Sequence, residues 1–209
     1  MEPTDRKHGP NILLVHGAFA DGSIWIPVIK RLQREGFNVV ASQMPLTCFD
    51  HDVRAVERDL DAFQGPTVVV GHSYGGLVIT EAASGKANVC GLVYVAGASA
   101  DIGETVAGIL AQYPVPAAKF IVPVDRNETP PFLIVQRDKI PQFFCPDIAR
   151  RDANALAAAT APMSATILTS QIRKPPAWRQ FPTWYLIFSE DQILRPDAQT
   201  KMADTNRDR

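Results

Sequence analysis

Apolar residues in this chain gather into short, β-branched runs, and between the runs they recur every third or fourth position. The runs are Asn11 to Val15, Asn38 to Ala41, Thr67 to Val70, Leu92 to Val95 and Trp184 to Phe188. Each has the length and the near-continuous hydrophobicity of a strand buried on both faces. Between the first two, Ile24, Trp25, Val28, Ile29 and Leu32 share one face of a predicted helix, which Ser23 is placed to cap and Gly36 to end. Between the next two, Val53, Val56, Leu60 and Phe63 repeat the helical spacing. Strands alternating with helices predict an α/β fold, a mostly parallel sheet with helices on both faces. Right-handed crossovers then place the strands in the spatial order second, first, third, fourth, fifth.

The rhythm stops after Ala96. Residues 101 to 182 are rich in proline and show no clear strand before Trp184, so they read as a cap-like insertion over the sheet. Within it, Pro146 and Asp147 open an alanine-rich helical run to about Ala161. Phe132, Phe143, Phe144 and Trp178 supply large apolar surfaces, either to roof a pocket or simply to pack the insertion down. No internal repeat or low-complexity tract interrupts the chain.

Composition narrows the function classes. A chain of 209 residues with 46% hydrophobic residues suits one domain with one sizeable core. The 21 basic and 22 acidic residues leave a net charge of -1, which suggests neither a nucleic-acid groove nor a polybasic membrane face. A small-molecule partner is expected, with the oligomeric state open. Cys48, Cys90 and Cys145 are too few and too scattered for a disulfide framework or a zinc site, so reduced thiols in a cytoplasmic protein are expected. The polar start carries no apolar targeting segment, and no later run has the length of a membrane span.

Chemistry enters directly after the third strand, at Gly71, His72, Ser73, Tyr74, Gly75 and Gly76, which open an apolar helix. This Gly-x-Ser-x-Gly arrangement, strand before and helix after, is the nucleophile elbow. The serine is forced into a strained conformation that projects its oxygen, and a Cβ at Gly71 or Gly75 would crowd the turn. The first strand runs into a second turn, His16-Gly17-Ala18-Phe19, at the same sheet edge. An oxyanion needs two converging donors, for which the candidates are the backbone amides of Tyr74 and Ala18, with Phe19 as the alternative.

The segments from Leu14 to Trp25, Gln43 to Leu46, Val70 to Gly76 and Leu92 to Ala96 resemble small bacterial esterases of the α/β-hydrolase superfamily, relatives of plant methyl esterases and hydroxynitrile lyases. The resemblance runs from about Asn11 to Met202. It implies a Ser-Asp-His triad, hydrolysis of a small ester or related bond, and no metal or organic cofactor. It also makes Asp191 the acid, at the end of the run from Trp184, with the neighbouring Glu190 also possible.

In that family the histidine follows the acid by one further strand. The four histidines here are His8, His16, His51 and His72, none after the serine. His8 is expected in a flexible tail, His51 on a surface helix, His72 pointing away from the elbow, and His16 supporting the oxyanion turn through hydrogen bonds. Lys201 would serve as a base only if buried, which the polar stretch to Arg209 argues against. The reading is therefore an α/β-hydrolase that stops before its final strand and its histidine, with impaired turnover. The alternatives are a non-catalytic small-molecule-binding homologue and, behind it, a lyase.

Overall fold

The computed structural model describes residues 9–125 and 127–207; His8 lies outside them. The chain begins with β1 (Asn11–Val15), α1 (Ile26–Arg34), β2 (Val39–Ala41), α2 (Phe49–Ala62), β3 (Thr67–His72), α3 (Tyr74–Ala82) and β4 (Val89–Val95). An excursion follows, containing α4 (Val106–Gln112), β5 (Ile121–Pro123), β6 (Phe132–Val135), α5 (Ile140–Phe143), α6 (Arg150–Ala159), β7 (Met163–Ser164) and α7 (Thr166–Thr169). The chain then returns as β8 (Thr183–Leu186) and α8 (Pro196–Arg207).

The main sheet is parallel throughout, in the expected order β2-β1-β3-β4-β8. Alternation along β1 divides its side chains between two cores. Ile12 and Leu14 pack with Trp25 beneath α1, while Leu13 and Val15 join Val69, Leu92 and Tyr94 beneath α2 and α3. Every residue of α3 is buried, which is why its sequence is largely apolar, with Thr80 and Glu81 the exceptions. Full burial of one such leucine or valine contributes about 1.5–3 kcal/mol.

The capping residue differs from the expected one. Asp21, immediately before the turn that leads into α1, accepts a hydrogen bond from the Ser23 amide at 2.7 Å, so its carboxylate does what the Ser23 hydroxyl was expected to do. Gly36, at φ +88°, ends the helix as expected.

The excursion does contain strands, contrary to the sequence reading. β5, β6 and β7 form a small antiparallel sheet, but at three, four and two residues they are too short to show a period. The helical run also starts later than expected, at Arg150, because Ala149 is still extended. Trp178 is buried in the core and donates its indole N–H to the Ala100 carbonyl at 3.0 Å. The returning chain is pinned to α3 by Arg173, whose amide and guanidinium reach the buried Glu81 at 2.8 and 3.1 Å.

Among the described residues β8 pairs with β4 alone, and its outward side chains are exposed. Trp184 is 56% exposed and Leu186 is similarly open, as are Ile187 and Phe188 just past the strand, while Tyr185 turns inward to stack on Tyr94. Ala198 and Met202 of α8, with Leu194 from the loop before it, pack against Ile109, Leu110 and Tyr185, so they cover the inward side of that strand. The stretch read as a polar tail is thus helical as far as Arg207, with Met202, Ala203 and Asn206 buried and Lys201 exposed.

Candidate active site

Ser73 stands between β3 and α3 at φ 50°, ψ -122°, a backbone region that L residues rarely occupy and that costs about 1–3 kcal/mol. The surroundings over-determine it. Its amide donates to the Val95 carbonyl at 3.2 Å, and its carbonyl accepts from Gly76 and Ala98, both at 2.9 Å. The glycines are needed for close approach, since a Cβ on Gly75 would stand 2.4 Å from the His16 carbonyl oxygen, and one on Gly71 2.7 Å from that of Gly75. The N-terminus of α3, with its partial positive charge, abuts the serine.

Tyr74, the next residue, is anchored from the side. Its hydroxyl donates to Asp52 at 2.7 Å, and the other oxygen of that carboxyl accepts from the Leu46 amide at 2.8 Å. Asp52 is fully buried, and burial pushes its carboxyl up to about 6 against the pull of these two donors. Nothing in the sequence marked this pair.

The second turn approaches as expected. Both ring nitrogens of the buried His16 are engaged, Nε2 accepting from the Met44 amide at 3.1 Å and Nδ1 donating to the Gly17 carbonyl at 2.9 Å. That pattern fixes a neutral tautomer, and burial lowers its basicity further. His16 therefore supports the turn and is not free to take a proton. The amides of Ala18, Phe19 and Tyr74 make no hydrogen bond to another described residue.

Asp191 faces the same cavity, beyond β8. Its Oδ1 accepts from the amides of Ile193 and Leu194 at 2.8 and 3.0 Å, and its Oδ2 from Gln199 Nε2 at 2.9 Å. Three of about four acceptor positions are used, so one remains for a further donor. Gln199, fully buried on α8, also donates to the Leu194 carbonyl and accepts from the Phe188 amide, at 2.6 and 3.0 Å. It locks the loop that carries Asp191, and no sequence pattern pointed to it. Glu190 lines the cavity beside Asp191.

His72 corrects an expectation, for it does not point away but lines the cavity. Trp25 packs edge-on against its ring at 6.3 Å. Its Nδ1 is buried without a hydrogen-bond partner, and a Cβ added at Gly17 would stand 3.0 Å from both that nitrogen and the Cβ of Ser73. Burial drives the imidazole down to about 4, although the Asp191 charge opposes that. A base so weak is neutral near pH 7 and a poor proton acceptor. His51 is exposed on α2, as expected.

The cavity encloses about 600 Å³. Ala18, Ser73 and Tyr74 share it with α4 and with Phe143 and Phe144, whereas Phe132 and Trp178 lie elsewhere. Three of the four non-glycine residues at positive φ among the described residues, Phe19, Ser73 and Ala96, line this space, as expected where backbone strain serves a site. Among the described residues, no group of three or more His, Cys, Asp or Glu side chains is placed to hold a metal ion. No described helix is long and apolar enough to cross a membrane.

Comparison with known proteins converges on one family. A model described as the alpha/beta hydrolase family matches residues 12–208. An alpha/beta hydrolase from Aspergillus novofumigatus is 24% identical over 93% of this chain and 83% of its own length. Among solved structures, a pyrethroid hydrolase from Sphingobium faniae superposes with TM-score 0.81 at 21% identity, over 93% of this chain and 84% of the other. A methylesterase from Arabidopsis superposes with TM-score 0.78 at 17% identity, over 94% and 85%.

Proposed function

The chain belongs to the alpha/beta hydrolase family, and we propose that it is a serine hydrolase of small esters in which Ser73 is the nucleophile. The observation that carries this reading is the strained Ser73 at the head of α3, on a cavity shared with Ala18, Tyr74 and Asp191. In the proposed reaction Ser73 Oγ attacks the ester carbonyl and its proton passes to a base. The oxyanion is held by the amides of Tyr74 and Ala18, with Phe19 as the alternative. Collapse expels the alcohol, which takes the proton, and water then releases the acid from the acyl-serine.

Asp191 is the orienting acid in this scheme, held by three N–H donors with one acceptor position to spare. What it would orient is an imidazole, and no histidine follows His72 in the sequence. His16 is engaged at both nitrogens and His72 is held neutral by burial. This polypeptide alone is therefore proposed to turn over esters feebly. A second reading, a protein that binds a small molecule without cleaving it, is favoured by that same lack of a competent base beside a formed cavity. Three unpaired thiols support a reducing, cytoplasmic setting.

The test compares three proteins on short-chain esters: the chain itself, its Ser73→Ala variant, and a version extended by a relative's final strand and histidine loop. Removing the histidine of a serine-protease triad costs about 10⁶-fold in kcat, or roughly 8 kcal/mol. The first two proteins should be similarly slow and the third faster by orders of magnitude. Rapid turnover by the chain itself, abolished in Ser73→Ala, would show that another residue is the base.

A further inference from the structure

Resting on the hydrolase reading, we propose that the cavity selects by charge, admitting uncharged esters with a large apolar part and turning away those that carry a carboxylate or other anion. The observation is the sign of the charged groups on its wall. Asp147, Glu190 and Asp191 line it, and among the described residues no lysine or arginine does. Asp191 is satisfied by neutral N–H donors, so no cation offsets it there. The titratable rings on the wall, His72 and Tyr74, are both neutral near pH 7, because burial lowers the imidazole and raises the phenol.

Cations near this end of the molecule are turned elsewhere. Lys119 and Lys139 lie over the Phe120 ring, Lys139 is also paired with Asp138, and Arg195 is paired with Asp197. None of these three cations lines the cavity. The rest of the wall is largely apolar, with Val106, Ile109, Leu110, Ile121, Phe143 and Phe144 facing the space.

The amide hydrogens around Ser73 offer partial positive charge at one point, where a carbonyl oxygen would sit. An anionic group carried on another part of the substrate would lose hydration without gaining a counter-charge. It would also meet two or three like charges. At roughly 8 Å, and at a dielectric between that of protein and water, each such charge weakens binding several-fold. A volume of about 600 Å³ suits a ligand of drug size.

Binding can be measured without turnover by using methyl ketones, which offer the carbonyl but no leaving group. Isothermal calorimetry would compare 9-oxodecanamide with 9-oxodecanoate, near-isosteres that differ in one charge at the far end. The amide is expected to bind about tenfold tighter or more. In the double variant Asp147→Asn, Glu190→Gln that ratio should fall to about threefold or less. Carboxylate binding as tight as that of the amide, a ratio unmoved in the double variant, or binding of neither ligand would overturn the proposal. Because no bond is broken, its failure is separable from failure of the hydrolase reading. An inactive protein that discriminates between the two ketones would leave charge selection standing.

Discussion

Replacing the buried Asp52 by asparagine should stabilise the protein at neutral pH, although it alters a side chain with two hydrogen bonds. Asp52 is fully buried, and its carboxyl is pushed up to about 6 from an ordinary 3.8. The charged form is thus disfavoured in the folded state by about 3 kcal/mol. Since the folded-state value lies above the unfolded one, the folded protein binds the extra proton between pH 3.8 and 6. Stability from this group is accordingly full below about 3.8, declines as pH rises through that window, and stays at its lower level above 6. An asparagine keeps both contacts, its oxygen accepting from the Leu46 amide and its NH₂ donating to the Tyr74 hydroxyl oxygen. Urea unfolding of wild type and Asp52→Asn, followed by circular dichroism at pH 4, 6 and 7.5, isolates this one group in the difference. The variant should gain about 1–3 kcal/mol at pH 7.5 and little at pH 4. A variant less stable than wild type at pH 7.5, or a difference that does not change with pH, would refute the reasoning.

Other expectations follow from the same contacts. Gly75→Ala forces a methyl to 2.4 Å from the His16 carbonyl oxygen, in a backbone fixed by strand pairing. It should lose about 3 kcal/mol or more in urea unfolding, and a loss under 0.5 kcal/mol would deny that the elbow is that tight. Gln199→Leu leaves the Phe188 amide, the Leu194 carbonyl and Asp191 Oδ2 short of a partner. It should cost about 2–4 kcal/mol and speed hydrogen exchange at the Phe188 amide, which unchanged exchange would contradict. The exposed Trp184 and Leu186 on the edge strand β8, with Ile187 and Phe188 just past its end, should make this polypeptide self-associate as concentration rises. Light scattering that shows a monodisperse monomer at high concentration would count against that edge being adhesive.

Much of the framework was legible because it depends on period and on glycine. The β-branched runs at Asn11 and Thr67 mark strands buried on both faces, and Gly71 and Gly75 mark a turn in which backbone carbonyls leave no room for a Cβ. Elements whose reasons are tertiary were not legible. β7 is two residues long and owes its place to pairing with β6. Gln199 meets Asp191 because α8 folds back over the loop, and its own helix gives no hint of that. Asp52 reads as one more carboxylate in the first turn of α2 until Tyr74 is brought to it. His72 was expected to turn away from its neighbour, but the edge-on packing of Trp25 and its place on the cavity wall keep it beside the site.

The central claim, that Ser73 is the nucleophile and lacks only an imidazole, is tested most directly by locating a covalent adduct. A fluorophosphonate reacts with a serine hydroxyl that has been made nucleophilic by a base, and peptide mass spectrometry then identifies the modified residue. The chain extended by a relative's histidine loop should be labelled at Ser73 in minutes, and the chain without that loop slower by about 10³-fold or more. An adduct on a residue other than Ser73 in the extended protein, or equally fast labelling of Ser73 with and without the added loop, would contradict it.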